Sequence, residues 1–503
     1  MAYAYDRGGP WRRHWTELPR AFVVVPGAAV VAAIATGFLA TQHVKTLELI
    51  LPVGALAGFM LAIAGLYRFE LFVLAVLTIR TVADVTKAKS ATNALANVAA
   101  PPATASSGKV ASVLAVMFIL MSVLWLLAQH SAGRHFAVPA TDGAFLLFVA
   151  ASGLSVVGAV HRSGTLTEVA RIIAAVMMFL ILERVVTTMV QVKRVLVACY
   201  LAGAAPVALG ALQATTGHGK FVTAGVSRVI GTFLHPNTFG FFLSMFMLMS
   251  IALYRHSSER VRLLHIGVVV VCGGMLVLTY SRGSWVAFVL GLLMIGVLQS
   301  RKVFGMLIIG GLITIGAVPS VLSRVTNLGS GTTATGSSGN SLAWRFSYWG
   351  QVSSLNHNNP ITGIGLSGTK YVSDQSKAPH NDYLRAYVET GVVGLLGYLL
   401  VLISLVVIAH RALRNAEEGL PRGIAVGFAA VLTAYAVDSF GDNLMSEVVV
   451  LWYFYAFAAC AVVVARLGRP HHAVPPPSPR LKRAPAAARS RSLAGAHRRP
   501  VIV

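Results

Sequence analysis

The chain has 503 residues, of which 56% are hydrophobic and 12% charged, with a mean hydropathy of +0.72 and a formal net charge of +24. Soluble domains carry about 25% charged residues, so a soluble globular protein is excluded. The positive charge would suit nucleic acid, but Arg and Lys sit in short loops and at both ends, as basic-loop orientation in a membrane requires, and no nucleic-acid partner is expected.

Residues 1–20 are polar and basic and form a cytoplasmic N-terminal segment. The first apolar run, 21–40, is long enough to remain as a span, and no cleavable signal peptide stands out. Further runs follow at 47–67, 71–85, 110–128, 144–160, 166–182, 195–212, 238–254, 263–280, 285–298, 303–319, 392–408, 424–437 and 448–465. A helix needs roughly 20 apolar residues to cross the hydrocarbon, and these runs are too long and too uniform for barrel strands. An all-α polytopic membrane protein with about 12–14 transmembrane helices is expected, its membrane domain covering 21–466. Run 71–85 contains Arg80 and Asp84, and run 166–182 carries Glu168 and Arg171. Ionisable residues within a span face the bundle interior, and their simplest reading is a buried pair that staples helices.

Four basic groups mark alternate loops: Arg184 with Lys193 and Arg194, Arg255 with Arg260 and Arg262, Arg301 with Lys302, and Arg411 with Arg414 and Arg422. The positive-inside rule puts these loops and both termini in the cytoplasm. Segments 213–237, 281–284, 321–390 and 439–447 then face outward, and 321–390 is the one large extracytoplasmic loop. Lys87, Lys89 and Lys109 fall in a loop that this scheme also places outside. Within the large loop, 327–341 is rich in Gly, Ser and Thr, a composition that favours a mobile chain. Residues 342–355, with Trp344, Phe346, Tyr348, Trp349 and Val352, suit an amphipathic helix at the membrane interface or a simple surface anchor. The tail, 467–503, has no acid and includes Pro475, Pro476 and Pro477, with seven Arg and Lys residues from Arg480 to Arg499. It reads as a disordered basic cytoplasmic tail drawn to anionic membrane lipids. Cys199, Cys272 and Cys460 lie inside apolar runs without metal-ligand spacing and read as packing residues.

The outward polar residues concentrate in three stretches. The first runs from Arg228 through Gly231-Thr232-Phe233 to Pro236-Asn237 and Gly240, where Asn237 is expected to cap a helix that starts at Pro236. The second is Ser281-Arg282-Gly283, a turn between spans. The Arg282 guanidinium fits phosphate oxygens in two-pronged geometry, or else snorkels to headgroups. The third holds Arg345, Gly363, Gly365, His380, Asn381, Asp382, Arg385 and Glu389. Asp382, two residues from His380, can orient the imidazole and raise its basicity, which suits a general base. No second His or Cys stands at metal-ligand spacing, so no metal is expected.

In this order the motifs resemble the O-antigen ligase/polymerase family of integral membrane glycosyltransferases. The resemblance rests on Arg228 to Gly240, on Ser281-Arg282-Gly283, on Trp344-Arg345 through Trp349 to Pro360-Ile361-Thr362-Gly363-Ile364-Gly365, and on His380-Asn381-Asp382-Tyr383-Leu384 with Glu389-Thr390-Gly391. It implies a fold of the GT-C type in the cytoplasmic membrane. It also implies transfer of glycan from a polyprenyl-diphosphate carrier to a glycan or lipid-linked acceptor, without cofactor, nucleotide sugar or metal. Arg228 and Arg282 would take the arginine roles at the diphosphate and His380 the histidine role. Asn237, Arg345, Asn381, Asp382 and Arg385 are the candidate substrate-binding residues. The alternative is a solute transporter of the same membrane superfamily. That would place polar or broken helices near the bilayer midplane, whereas the polar residues of this chain gather in the outer loops.

Overall fold

The computed structural model describes residues 65, 67–84, 109–134, 136–223, 226–299, 302, 305, 309 and 341–468. Expected spans 21–40, 47–67 and 303–319 lie wholly or almost wholly outside these residues, as do the Gly/Ser/Thr-rich stretch to residue 340 and the basic tail.

The chain is an all-α polytopic membrane protein. Among the described residues, eight helices are long and apolar enough to cross a membrane: α2 (Lys109–Ser131), α4 (Arg162–Val185), α5 (Met189–Thr216), α6 (Pro236–Tyr254), α7 (Glu259–Leu278), α11 (Asp382–Asn415), α12 (Leu420–Asp438) and α13 (Val448–Leu467). Three shorter apolar helices accompany them: α1 (Phe69–Ile79), α3 (Ala140–Leu154) and α8 (Arg282–Leu298). Each falls on an expected span. Two more helices, α9 (Ser341–Ser354) and α10 (Thr369–Val372), and a small hairpin of β1 (Phe221–Thr223) and β2 (Val226–Arg228), lie in the connections. The hairpin pairs antiparallel, with Phe221 opposite Arg228.

Local chemistry sets the helix ends. Thr188 and Gln191 form a reciprocal capping box that starts α5, and Gly217 closes that helix in the left-handed conformation that glycine adopts without a Cβ clash. α13 is the core helix. Trp452 donates to Ala174 O of α4 at 3.1 Å and Tyr453 to Leu77 O of α1 at 2.7 Å, so both buried donors are satisfied by carbonyls of neighbouring helices.

Helix α11 is two helices joined at Gly391, whose φ of 69° is left-handed. A Cβ there would stand 2.0 Å from Ile361 O, so the break requires glycine. Just before it, Ile364 N and Gly365 N donate to Val388 O and Glu389 O, and Val392 N donates to Pro360 O just after it. Loop 356–368 is thereby tied to the break.

The charged residues inside spans form two separate staples. Arg80 pairs with Asp84 at 2.9 Å and lies over the Trp452 ring at 5.4 Å. Glu168 of α4 pairs with Arg171 at 2.5 Å and lies 3.9 Å from Arg385 of α11, which itself bonds Glu389 at 2.8 Å. At the far end of α4, Glu183 and Arg184 pair with Arg466 of α13 and Asp142 of α3 at 3.3 and 2.8 Å.

α9 is amphipathic as expected, but its buried face packs on protein. Tyr348 and Val352, four residues apart, meet Ile364 and Val388, while Phe346 stays exposed.

Candidate functional site

Four connections meet at one end of the bundle: the hairpin segment before α6, the turn between α7 and α8, the segment before α11, and the turn between α12 and α13. The first carries Arg228, which is 6% exposed. Its Nε donates to Thr279 O at 2.6 Å and its Nη2 to Asn237 Oδ1 at 2.8 Å. Gln213, in the last turn of α5, holds the same segment by accepting from Ile230 N and Gly231 N at 3.0 and 2.9 Å. The expectation that Asn237 caps α6 is corrected. His235 is the cap, its Nδ1 accepting from Asn237 N at 3.2 Å with Pro236 in the first turn. That leaves the Asn237 side chain to anchor Arg228 rather than to face outward as a substrate ligand.

The second connection turns through Tyr280, a non-glycine residue at φ 48°. Such strain persists only where the surroundings enforce it. Arg282 follows as the first residue of α8 and is half-buried. A Cβ on Gly283 would stand 2.9 Å from Asp438 Oδ1, so glycine lets this turn close on the end of α12. Ser284 Oγ completes the contact, donating to Asn237 O at 3.1 Å and lying 3.4 Å from Asp438 Oδ2.

His380 is the third element and is also left-handed, at φ 52°. Its backbone N donates to Asn443 Oδ1 at 3.0 Å, and its Nδ1 lies 3.2 Å from Asp442 Oδ1. Trp349 Nε1 donates to Pro379 O at 2.7 Å and fixes the residue before it. The carboxylate that orients His380 is therefore Asp442 and not Asp382, a correction with a plain geometric cause. Asp382 opens α11 and its side chain turns toward the α12–α13 connection, where Oδ2 accepts from Met445 N at 3.0 Å. Asn381 is the α11 cap, accepting from Leu384 N at 3.0 Å, and Arg385 is 1% exposed inside the ion pairs with Glu389 and Glu168. All three expected substrate ligands make bonds within the protein. Arg345 is better placed. It is half-buried, and a Cβ on Gly441 would stand 3.3 Å from its Nη1. Burial lowers its pKa, and Asp442 and Asp438 act against that shift.

A cavity of about 300 Å³ opens at this end, with His235, His380, Asp442, Asn443, Lys370 and Lys377 in its walls. The two imidazole rings are 5.9 Å apart between centroids. Burial pushes the His235 pKa down to about 4, with Asp442 opposing the shift and His380, Arg228 and Arg345 adding to it. His235 is thus neutral near pH 7. Because its Nδ1 accepts a hydrogen bond, its proton sits on Nε2. Burial alone would raise the Asp442 carboxyl, but the hydrogen bond from His380 leads the effects that bring it below the ordinary carboxylate value. An ionised Asp442 can only accept, so His380 Nδ1 is the donor in this contact.

His235 gives a pH prediction. Histidine in an unfolded chain takes its proton near pH 6.5, and His235 takes it in the folded protein only near pH 4. Between those values the unfolded state binds more protons, so this contribution to stability is complete above about pH 6.5 and is lost as pH falls toward 4. His235→Asn keeps a capping acceptor and removes the titration. Thermal unfolding in detergent at pH 7 and pH 5 is expected to show a smaller drop in Tm for this variant than for the parent. An equal drop in both would refute the assignment.

Sequence patterns alone do not single out His235, Asp438, Asp442 and Asn443. The signal that marks three of them is the outward connection 439–447 with the last residues of α12, which is as polar as the three stretches that carry the arginines and His380.

Nothing among curated proteins matches the chain. Residues 267–399 match the family model described as O-antigen ligase. The matched stretch carries Arg282, Arg345 and His380, while Arg228, His235 and Asp442 lie on either side of it. The chain is similar to that family over this stretch, which contains the arginine turn and the oriented histidine.

Proposed function

We propose that the protein is a glycosyltransferase that moves glycan from a polyprenyl-diphosphate carrier to an acceptor sugar hydroxyl at the outer face of the cytoplasmic membrane, as a surface-polysaccharide polymerase or ligase. One observation carries this reading: a histidine oriented by a buried carboxylate opens on a cavity at the end of the bundle where Arg228, Arg282 and Arg345 also gather. The basic loops that close the opposite end favour the cytoplasm there and the outside at the site. Lipid-linked glycans and membrane lipids are the partners that the family implies.

Each part has a role in the reaction. A diphosphate is a good leaving group whose developing charge needs fixed cations, and Arg228 is held rigid by Thr279 and Asn237 for that purpose. Arg282 stands two residues before Ser284, which bonds Asn237 O, and its planar fork matches phosphate oxygens. The acceptor hydroxyl gives its proton to His380 Nε2 as its oxygen forms the bond to the anomeric carbon. The bond from that carbon to the diphosphate oxygen breaks, and the diphosphate leaves with the electron pair. Asp442 stabilises the imidazolium through Nδ1–H. A single displacement inverts the anomeric centre.

Reconstituted protein, a polyprenyl-diphosphate-linked glycan and an acceptor glycan provide the test. The expected product is glycan covalently joined to the acceptor with inverted anomeric configuration, formed without any nucleotide sugar. Glycan moved across the membrane with its diphosphate linkage intact would instead establish the transporter.

A further inference from the structure

The cavity beside His380 is polar almost throughout. Apart from Ala378, every described residue in its walls carries a polar side-chain atom. Its charged residues are matched in number, Lys370 and Lys377 against Asp442 and Glu447. Ser376, Asn443 and Ser446 add side chains that both donate and accept. Walls of balanced charge call for no ionic ligand. They suit a neutral one rich in hydroxyls, each of which donates and accepts as the walls do. The volume of about 300 Å³ is at the lower end of the range for small-ligand pockets.

His235 has a particular place in this lining. One ring nitrogen is committed to the protein. Nδ1 accepts from Asn237 N at 3.2 Å, and Asn237 Oδ1 in turn accepts from Arg228 at 2.8 Å. The Phe221 ring meets the imidazole at 5.2 Å between centroids and at 64°, so the ring is held from a second side. The proton is on Nε2, and among the described residues nothing accepts it. A donor without a protein partner in a cavity wall is satisfied by water or by a ligand oxygen. The neighbouring ring is that of His380, at 5.9 Å between centroids and tilted by 43°. At that separation a single sugar can touch both imidazoles, because hydroxyls on adjacent ring carbons stand side by side.

Accepting the transferase reading of the preceding subsection, we infer that the cavity receives a neutral sugar of the acceptor glycan and that His235 is a specificity-determining residue, whose Nε2–H donates to the oxygen beside the hydroxyl that faces His380. The contact selects which hydroxyl reacts. A neutral imidazole suits this role: burial keeps His235 from taking a second proton near pH 7, so it can hold a sugar oxygen without placing a charge beside the base.

Equilibrium binding tests the contact with no donor present. The full chain in nanodiscs of a zwitterionic lipid is titrated with neutral tetrasaccharides of glucose, galactose, mannose and rhamnose. At least one is expected to bind. That probe is then remade with each hydroxyl of its terminal sugar replaced by hydrogen in turn. One of these deoxy probes is expected to bind the parent roughly 3–10-fold more weakly, the loss of one neutral hydrogen bond. His235→Asn should weaken the complete probe by a similar factor and show no further loss with that deoxy probe, because both changes delete the same bond. His235→Gln should keep the parent's pattern, since its amide nitrogen reaches the place of Nε2. The fold is read separately. Asparagine keeps a capping acceptor for α6 and glutamine does not, so Tm should fall in His235→Gln and hold in His235→Asn, the reverse of the order in binding. In the transfer assay His235→Asn should give mixed linkages where the parent gives one. Binding of none of the neutral probes, additive losses in His235→Asn, or a single unchanged linkage in that variant overturns the proposal. His235-dependent binding in a protein that forms no glycan product would leave the contact standing and refute the transferase alone.

Discussion

His380→Ala is expected to depress glycan transfer by roughly 10²–10⁴-fold, the range for a positioned proton acceptor. The substitution removes a cavity group whose ring is oriented by the hydrogen bond between Nδ1 and Asp442. Binding of the polyprenyl-diphosphate donor should survive, because the proposed mechanism assigns the diphosphate to the arginines. Asp442→Asn should give an intermediate loss. An asparagine amide can donate to Nδ1, which turns the imidazole to the wrong tautomer without deleting it. Asp382→Asn should act differently, through the bond from Met445 N that ties α11 to the α12–α13 connection. Its expected signature is lower thermal stability. Single-turnover transfer and donor binding, measured on all three variants, check the set. Loss of donor binding in His380→Ala would make the histidine a binding residue.

Arg282→Lys is expected to lose most activity while the protein remains folded and inserted. Lysine keeps the charge and loses the planar fork. In the proposed mechanism the contact is a charged hydrogen bond to phosphate, and its weakening costs about 1.5–3 kcal/mol, or roughly 10–100-fold in transfer rate. Arg282 is half-buried on the first turn of α8, and lysine keeps both the charge and a long side chain there. Arg228→Lys is the contrasting case. Arg228 bridges Thr279 O and Asn237 Oδ1, so its replacement should lower stability as well as rate. Full activity of Arg282→Lys in a transfer assay would remove that residue from the phosphate.

The helices are legible in the sequence because uniform apolar runs leave few alternatives, and every described span lies on such a run. The ends are less legible. The apolar pattern starts at residue 392, yet α11 starts at Asp382, because the turn before Gly391 is a polar helix packed on protein. On a helix over 382–390, the spacing of Arg385 and Glu389 marks an internal ion pair rather than a substrate ligand. The site is half legible. His380 and Arg282 stand out as polar residues in outward connections. Asp442 pairs with His380 from 62 residues away, across the α11–α12 hairpin, and one chain read in order does not reveal such a contact. Proximity in sequence points to Asp382 instead, whose backbone begins a helix that carries its carboxylate away.

The pH dependence of single-turnover transfer, in the parent and in His380→Ala, tests the proposed mechanism most directly. In the parent, the rate should fall on the acid side by about tenfold per pH unit as the base takes up its proton. His235 takes its proton only near pH 4, so an acid limb that begins well above that value is not its own. In His380→Ala the residual rate should be flat over the same range. An acid limb of the same shape in both proteins would show that another group removes the acceptor's proton, and would contradict His380 as the base and Asp442 as the carboxylate that orients it.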